Sequence, residues 1–318
     1  MTSGDAGRLP HDRGFMLWRA EEGTRWLEES IERWAFAMLS DDEISGQLAA
    51  DDEMANFTII SRQEGILAGA WTTDYIIATR TTDVETLWYR GDGDTICDGD
   101  VVAVLSGGRN AILMLERSIL NIIGQLSGIA TNSAKWSSAS PIPVACTRKT
   151  VWGLLDKWAV HLGGGLTHRL SKRDACMLKE NDLVAPTGDS RGSENEVGEK
   201  GVIHQRIINL DEADVGAFLT IEVRSVEESV SAAAAWQEMV IHKPCVIMLD
   251  NMGPDGAREA DVALREAGLR NEVLLEASGG IKFAALKEWE NCGIDVISTS
   301  AINRGTQPHD FSLLIEGA

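Results

Sequence analysis

Five side chains between residues 146 and 183 could together bind an anionic ligand. They are Arg148, Lys149, His168, Arg169 and Lys179, in a chain whose formal net charge is −20. Cations that a fold brings together repel one another, and a bound carboxylate or phosphate relieves that repulsion through charge-assisted hydrogen bonds of about 1.5–3 kcal/mol each. A single Lys or Arg is more often a solvated surface charge. Here Arg148 and Lys149 follow the apolar run 143–146 after a single residue, and Lys179 follows the apolar run 175–178. We therefore favour an anion site.

Short apolar runs alternate with helical patterns after Ser140, and these elements would position the cations. Predicted strands cover residues 144–146, 175–178, 218–223, 245–249, 272–275 and 294–298, and predicted helices cover residues 152–161, 226–239, 254–267 and 282–291. Strands and helices that alternate at this spacing indicate right-handed parallel βαβ units, and therefore an α/β sheet or barrel. Residues 185–201 are rich in Gly, Ser and charge and predict a mobile loop.

Polar residues follow or end each of these predicted strands. In chain order they are Arg148 and Lys149, Lys179, Glu222, Asp250 with Asn251, Ser278 with Gly279 and Gly280, and Ser298 with Thr299 and Ser300. In a β/α barrel the carboxyl ends of the strands meet at one mouth, where the following loops build the active site and late loops commonly hold phosphate. We expect all of these residues to converge there.

The mouth would carry carboxylates as well as cations. Glu222 and Asp250 suit a divalent metal ion or a developing positive charge, although each carboxylate alone is more often a structural hydrogen-bonding group. The double glycine at 279–280 lets a backbone approach an oxyanion closely. Together these groups predict a phosphorylated, magnesium-bound substrate beside an acidic organic one. The sequence shows neither an activated nucleophile triad nor a Walker loop, so positioning and electrostatic stabilisation are favoured over covalent catalysis.

The N-terminal half predicts a different mixture of elements. Residues 1–13 are expected to form a loose tail. The predicted elements are helices over residues 24–39 (with Thr24 as the N-cap), 42–50 and 110–136, and extended segments over residues 57–62, 84–90 and 100–106, with residues 65–78 undecided. Arg117 interrupts the strongly apolar region of the long helix. Such a charge either reaches water at an end of the helix or is aimed at a ligand or a neighbouring subunit.

Length and composition exclude several classes of protein. A chain of 318 residues with 44% hydrophobic residues can fill a sizeable core. Its acidic balance, with a pI of about 4.7, argues against nucleic-acid binding, which needs a basic face. The five cysteines are scattered without a Cys-x-x-Cys pair, as expected in a reducing cytoplasm. Neither a signal peptide nor a membrane span is indicated.

Several motifs occur in a fixed order between about residues 106 and 304. They are Glu-Arg-Ser-Ile-Leu-Asn at 116–121, Ser-Gly-Ile-Ala-Thr at 127–131, Thr-Arg-Lys-Thr at 147–150, Gly-Gly-Gly at 163–165 followed by His168 and Arg169, Leu-Asp-Asn at 249–251 and Ala-Ser-Gly-Gly-Ile at 277–281. This set resembles the quinolinate phosphoribosyltransferases, also called carboxylating nicotinate-nucleotide pyrophosphorylases. The resemblance implies phosphoribosyl transfer from phosphoribosyl pyrophosphate to quinolinate with decarboxylation, supported by Mg²⁺ and no organic cofactor.

The resemblance also implies a fold and an assembly. An N-terminal α/β sandwich domain would cover residues 14–132 and about 302–318, and an incomplete α/β barrel would cover residues 133–301. Two chains would form a homodimer, with Arg117 reaching across the interface to the partner's mouth. Five further cations would grip the carboxylates of quinolinate and the diphosphate: Arg148, Lys149, His168, Arg169 and Lys179. Glu222 and Asp250 would face the ribose and its Mg²⁺, and two turns would hold the 5-phosphate: Ser278, Gly279 and Gly280, and Ser298, Thr299 and Ser300.

Three departures from the family pattern leave the acceptor acid open. An arginine usual after the Thr-Arg-Lys-Thr motif is absent, with Leu155 in that region, Asp182 replaces a histidine, and Ser300 replaces a glycine near the phosphate turn. Two alternatives therefore stand beside the quinolinate enzyme. One is a divergent paralogue, such as the type found with molybdate transport, acting on another aromatic acid. The other is a non-catalytic sensor of a phosphorylated metabolite, against which the retained pair Glu222 and Asp250 argues.

Overall fold

The computed structural model describes residues 8–49, 53–179 and 199–316. The chain divides into two compact units. The parallel-sheet unit comprises Met1–Asp12, Ala139–Arg148 and His168–Ala301, and the antiparallel-sheet unit comprises Arg13–Ser138, Lys149–Thr167 and Ile302–Ala318. The predicted domains assigned residues 149–167 to the barrel; in the structure these residues belong to the antiparallel-sheet unit, where their helix contacts the first helix of the chain.

The antiparallel-sheet unit combines a four-stranded sheet with four helices. Its helices are α1 (Arg25–Asp41), α2 (Ala70–Arg80), α3 (Arg109–Ala139) and α4 (Leu154–Leu162). Its strands are β1 (Trp18–Arg19), β2 (Glu22–Gly23), β3 (Met54–Ser61), β4 (Gly65–Ile66), β5 (Val84–Trp88), β6 (Thr95–Ile96), β7 (Val101–Gly108) and β14 (Phe311–Ile315). The main sheet has the order β14-β3-β7-β5 with antiparallel pairs, and β1-β2 and β4-β6 form short two-stranded ribbons. A 3₁₀ helix covers Gly14–Met16.

The long helix α3 confirms the apolar pattern seen in the sequence. Its predicted apolar side is buried: Ile112, Leu115, Ile119, Ile122, Ile123 and Leu126. By length and composition α3 could also cross a membrane, but 67% of its most apolar window is buried inside the protein, as expected for the core helix of a globular unit.

The parallel-sheet unit contains six parallel strands in the order β8-β13-β12-β11-β10-β9. These strands are β8 (Val144–Ala145), β9 (Cys176–Leu178), β10 (Leu219–Val223), β11 (Cys245–Asp250), β12 (Leu274–Ser278) and β13 (Val296–Ser298). The connections include α5 (Glu199–Ile208), α6 (Glu212–Val215), α7 (Val226–Gln237) and α8 (Gly253–Glu266), and 3₁₀ helices at Arg270–Glu272, Phe283–Trp289 and Ser300–Ile302. Among the described residues β8 and β9 are the two edges, so the sheet stays open. The predicted parallel α/β architecture is thus confirmed.

Several local predictions need correction. Residues 42–49 do not form a helix, because their backbone groups bond elsewhere: Ile44 N–H to the Leu39 carbonyl and Leu48 N–H to the Arg80 carbonyl, at 2.7 Å each. Thr24 stands at the N-cap of α1, but its hydroxyl donates to the Met16 carbonyl at 2.7 Å rather than capping the helix. The predicted helix at 282–291 is a 3₁₀ helix, Phe283–Trp289.

Two segments were predicted to be mobile, and the structure describes part of each. Of the tail over residues 1–13, residues 1–7 lie outside the described residues, whereas His11 is completely buried because it hydrogen-bonds a buried carboxylate. Of the loop over residues 185–201, residues 185–198 lie outside the described residues and residues 199–201 begin α5.

Candidate active site

The strand register places several polar side chains on one face of the parallel sheet. Glu222 pairs with Met248 and Met248 with Glu276, while Asp250 pairs with Ser278. Side chains alternate between the two faces along a strand, and paired residues in neighbouring strands share a face. Glu222, Asp250, Glu276 and Ser278 therefore project from the same side, which we call the polar face. Ser298 joins it, since β12 pairs with β13 through Glu276 and Val296.

A direct contact joins Lys179 to Glu222 of the polar face. Nζ of Lys179 lies 2.5 Å from Oε2 of Glu222, with the Lys179 side chain 49% exposed and the Glu222 side chain 11% exposed. The sequence predicted that cations and carboxylates would both lie at the mouth, with different ligands. Lys179 and Glu222 instead form one ion pair, because Lys179 follows β9 and Glu222 lies on the neighbouring strand β10.

Asp250 is the second acid at the carboxyl ends of the strands. Its Oδ2 accepts a hydrogen bond from Nδ2 of Asn251 at 3.0 Å and lies 3.9 Å from Nε of Arg224. The Asp250 side chain is 20% exposed and the Arg224 side chain is 54% exposed, so the carboxylate is partly open to solvent beside an exposed cation. Arg224, directly after β10, was missed in the sequence, although it follows a strand in the same way as Lys179.

The double glycine forms a turn that packs against Asn251. Gly279 has a φ of 105° and Gly280 has a φ of 62°, both in the left-handed region that favours glycine. A Cβ on Gly279 would lie 2.3 Å from Oδ1 and 2.7 Å from the backbone nitrogen of Asn251. That nitrogen donates to the Ser278 carbonyl at 3.1 Å. The turn therefore brings backbone close to the end of β11, and its binding of an oxyanion stays a prediction.

The second predicted phosphate turn follows β13. The Ser298 hydroxyl is buried and has no hydrogen-bond partner among the described residues. The Thr299 backbone N–H donates to the Ala145 carbonyl and its hydroxyl to the Ile281 carbonyl, each at 3.0 Å. Ser300 begins the 3₁₀ helix Ser300–Ile302. A buried hydroxyl without a partner is costly, and a bound oxyanion would satisfy it.

His168 and Arg169 lie inside the parallel-sheet unit and are almost completely buried. His168 Nε2 lies 3.3 Å from Oε2 of Glu276, and its Nδ1 accepts the backbone N–H of Arg169 at 2.7 Å. The Arg169 guanidinium donates to the Ala175 carbonyl at 3.1 Å and to Sδ of Met177 at 3.3 Å. His168 was predicted to contact a substrate carboxylate; as placed here, both of its ring nitrogens serve internal contacts.

Glu276 is a polar-face residue that the sequence did not reveal. Burial by itself raises the pKa of this carboxyl, but the neighbouring His168 and His11 outweigh burial and hold the pKa well below its usual range. Glu276 was overlooked because the strand was predicted to end at Leu275, whereas β12 runs to Ser278. The signal was present: Glu276 alternates with the buried Leu275 and Ala277.

Arg148 and Lys149 are exposed and follow β8, with two residues between the strand and Arg148. Nδ2 of Asn303 donates one hydrogen bond to the Lys149 carbonyl at 3.0 Å and another to Oδ2 of Asp156 at 3.2 Å. The buried Asp156 also accepts the backbone N–H groups of Val151 and Trp152 at 2.9 and 3.0 Å. Asp156 and Asn303 therefore hold the turn that carries Lys149, a supporting role that only the fold shows.

The remaining predicted residues lie in different settings. Arg117 is exposed on α3 and lines a cavity of about 460 Å³ within the antiparallel-sheet unit, together with Met38, Trp152 and His309. Leu155, at the departure from the arginine pattern, is completely buried in α4. Asp182 lies outside the described residues.

The parallel-sheet unit is an open parallel α/β sheet whose strand ends carry cations, carboxylates and a glycine turn, and in α/β folds the carboxyl ends of the strands are where ligands bind. The chain belongs to the quinolinate phosphoribosyl transferase family: the model of the family's C-terminal domain matches residues 129–314 and that of its N-terminal domain matches residues 42–127. The resemblance noted in the sequence is thereby confirmed.

Individual relatives agree over nearly the full length. A probable nicotinate-nucleotide pyrophosphorylase (carboxylating) of Methanothermobacter thermautotrophicus is 33% identical over 266 residues, covering 81% of this chain and 88% of that protein. Its Bacillus subtilis counterpart is 29% identical over 293 residues, covering 90% and 92%. The solved nicotinate-nucleotide pyrophosphorylase of Francisella tularensis superposes with a TM-score of 0.73 at 27% identity, covering 91% of this chain and 96% of that one.

Proposed function

We propose that this protein transfers the phosphoribosyl group of phosphoribosyl pyrophosphate to quinolinate and decarboxylates the product, giving nicotinate mononucleotide, diphosphate and carbon dioxide. The observation that carries the proposal is the polar face, on which Glu222, Asp250, Ser278 and Ser298 stand together with Lys179 at the strand ends. Membership of the quinolinate phosphoribosyl transferase family supports the choice of substrates.

The cations of the site take the anionic parts of both substrates. Arg148, Lys149, Arg169 and Lys179 bind the carboxylates of quinolinate and the diphosphate, since Arg and Lys make charge-assisted bonds to such groups. The Ser278–Gly280 turn and the Ser298–Ser300 turn bind the 5-phosphate through backbone N–H groups and hydroxyls. The partnerless hydroxyl of Ser298 supports this assignment.

The acids stabilise the reacting sugar. When the bond from the ribose carbon to diphosphate breaks, diphosphate leaves with the electron pair and the carbon becomes oxocarbenium-like. The pyridine nitrogen then donates its pair to that carbon. The carboxylates of Glu222 and Asp250 lower the energy of the positive charge by electrostatic stabilisation. The pyridinium ring next accepts the electron pair released when the adjacent carboxylate leaves as carbon dioxide, and a proton takes that place on the ring.

Magnesium is part of the proposal. Asp250 fits it, because its carboxylate faces solvent and Mg²⁺ is held by one or two carboxylates together with substrate phosphates. Glu222 fits less directly, since Lys179 already neutralises it. When bound with the substrate, Mg²⁺ neutralises diphosphate charge.

Two features outside the parallel-sheet unit complete the proposal. Arg117 reaches the site of a partner chain in a homodimer, which would give this exposed cation within an apolar stretch of α3 a function. A cytoplasmic location is supported by the cysteines, all of which are free thiols.

The test is turnover by the purified protein with quinolinate, phosphoribosyl pyrophosphate and Mg²⁺, measured as nicotinate mononucleotide and carbon dioxide. Parallel reactions contain nicotinate, or another aromatic acid, in place of quinolinate. Product from quinolinate supports the proposal, whereas product only from another acid would identify the divergent paralogue. Binding of phosphoribosyl pyrophosphate without product from any acid would indicate the metabolite sensor.

Lys149→Ala sharpens this test. We expect it to lower turnover by at least about 10²-fold, because one positioned electrostatic contact to a leaving group or carboxylate has that value. Its folding should change little, since Lys149 is exposed. The matched control is Lys287→Ala, which removes an exposed lysine from the 3₁₀ helix Phe283–Trp289. Equal activity in both variants would refute the placement of Lys149 at the site.

A further inference from the structure

Glu276 of the polar face belongs to a buried cluster of three titratable side chains. Oε2 of Glu276 is 3.0 Å from Nε2 of His11 and 3.3 Å from Nε2 of His168. Glu276 and His11 are fully buried, and His168 is 3% exposed. The rings of His11 and His168 meet edge to face at 4.9 Å, and both contact Phe218. A carboxylate is rarely buried unless it is paired, and the two histidines are the partners of Glu276.

The direction of the hydrogen bonds follows from the backbone. The N–H of Arg169 points at Nδ1 of His168 at 2.7 Å. A backbone N–H can only donate, so Nδ1 carries a lone pair and the ring proton sits on Nε2. Nε2–H then lies 3.3 Å from Oε2 of Glu276, an ion-pair contact, and the same oxygen hydrogen-bonds Nε2 of His11 at 3.0 Å. The cluster thus orders His168 as one tautomer.

This direction also argues against a metal ion in the cluster, although the three side chains could surround one. Coordination through Nε2 of His168 would require the proton to move to Nδ1. That nitrogen would then face the Arg169 N–H with a second N–H, and the hydrogen bond would be lost. Two imidazoles with one carboxylate are also a poor match for Mg²⁺, which prefers oxygen ligands.

The ordered His168 in turn orders Arg169. His168 has a φ of 52°, which a non-glycine residue adopts at a conformational cost, so its ring contacts must hold the backbone there. From that backbone the Arg169 guanidinium reaches the Ala175 carbonyl and Sδ of Met177. Met177 pairs with Thr220, which is two residues before Glu222 and on the same face. Arg169 is therefore aimed towards the polar face.

We propose that His11 and Glu276 are positioning residues for the acid-binding site: they hold His168 in its Nε2-protonated form, and His168 fixes the backbone and guanidinium of Arg169. The inference rests on the proposed function insofar as Arg169 binds a substrate carboxylate. His11 precedes the residues that the family models match, 42–127 and 129–314.

Kinetic variants test the functional consequence. His11→Leu removes the donor, His11→Gln keeps a donor near the position of Nε2, and Glu276→Gln removes the charge at nearly constant volume. We expect His11→Leu and Glu276→Gln to lower kcat/KM for quinolinate about 10–100-fold, mainly through KM for the acid, because misplaced ligand-binding groups have costs of this size. His11→Gln should retain most of the activity. His204→Leu is the matched control, since it removes a histidine from an exposed pair with Glu238.

A measurement without substrate separates this inference from the proposed function. Selective ¹⁵N labelling of the six histidines, with His168→Gln for assignment, reports which ring nitrogen of His168 carries the proton. We expect protonated Nε2 and bare Nδ1 in the wild type, and a mixture of tautomers in His11→Leu. Three results would each overturn the inference. The first is a proton on Nδ1 of His168, and the second is a stoichiometric transition metal in the purified protein. The third is a folded His11→Leu variant with wild-type kinetics and the wild-type tautomer. If the wild type does not turn over quinolinate, the proposed function fails while the tautomer result still decides this one.

Discussion

Substituting Gly279 by alanine should destabilise the protein far more than the same change at Gly280. A Cβ at Gly279 would lie 2.3 Å from Oδ1 and 2.7 Å from the backbone nitrogen of Asn251. Asn251 cannot move away freely, because that nitrogen donates to the Ser278 carbonyl at 3.1 Å and its Nδ2 donates to Asp250 at 3.0 Å. A Cβ at Gly280 would have no heavy atom within 4 Å.

The magnitude has two parts. A left-handed backbone costs an alanine about 1–2 kcal/mol, and this applies at both positions, with φ of 105° at Gly279 and 62° at Gly280. Overpacking adds about 1–3 kcal/mol and applies only at Gly279. We expect losses of about 2–5 kcal/mol for Gly279→Ala and about 1–2 kcal/mol for Gly280→Ala.

Urea unfolding followed by tryptophan fluorescence measures the difference in unfolding free energy. Steady-state turnover should follow the same order, since displacement of Asn251 disturbs the hydrogen bond to Asp250. If Gly279→Ala were no less stable than Gly280→Ala, the close approach of the turn to Asn251 would be wrong. The interpretation of the double glycine as a tightly packed oxyanion-binding loop would then also be wrong.

Three further changes test other parts of the structure. Asp250→Asn should slow the chemical step more than it weakens quinolinate binding, because only the charge is lost; an unchanged single-turnover rate would contradict its role at the ribose. Arg270→Ala should cost about 3–5 kcal/mol of unfolding free energy, since the 13% exposed guanidinium bonds Asp261 at 2.7 Å and Asp295 at 2.8 Å; kcat in the folded enzyme should not change, and a drop in kcat at full folding would show a role at the site. Burial raises the pKa of Asp92 to about 6, although the carboxylate accepts hydrogen bonds from three backbone N–H groups at the start of α2, which lower the pKa. The protonated form of Asp92 is thus favoured in the folded state, so its contribution to stability is lost as pH rises from about 4 through 6. Over this range the melting temperature of the wild type should fall relative to that of Asp92→Asn; equal slopes of melting temperature against pH would exclude this.

Much of the parallel-sheet unit could be predicted because its signals are local. The strands around Glu222 and Asp250 are short apolar runs between helices, and their polar ends follow from one rule about parallel strands. The helix over residues 110–136 was clear from its spacing of apolar residues. Boundaries were less well determined: the strand predicted to end at Leu275 runs to Ser278, which concealed Glu276.

Predictions failed where distant groups compete for the same atoms. The segment 42–49 has a helical composition, but its N–H groups bond the Leu39 and Arg80 carbonyls. His11 stands in a polar, Gly-rich stretch that predicts a tail, yet it is buried against Glu276, 265 residues further along the chain. No periodicity in a single sequence reports a contact of that separation.

The sequence by itself determined the type and order of the elements and the family, because hydrophobic periodicity and short motifs are local properties of the chain. Only the tertiary structure decided the partners: Lys179 with Glu222, Glu276 between two histidines, and Asn251 beneath Gly279. These pairings depend on strand register and on which buried polar groups find hydrogen bonds, and both are set when the whole sheet assembles.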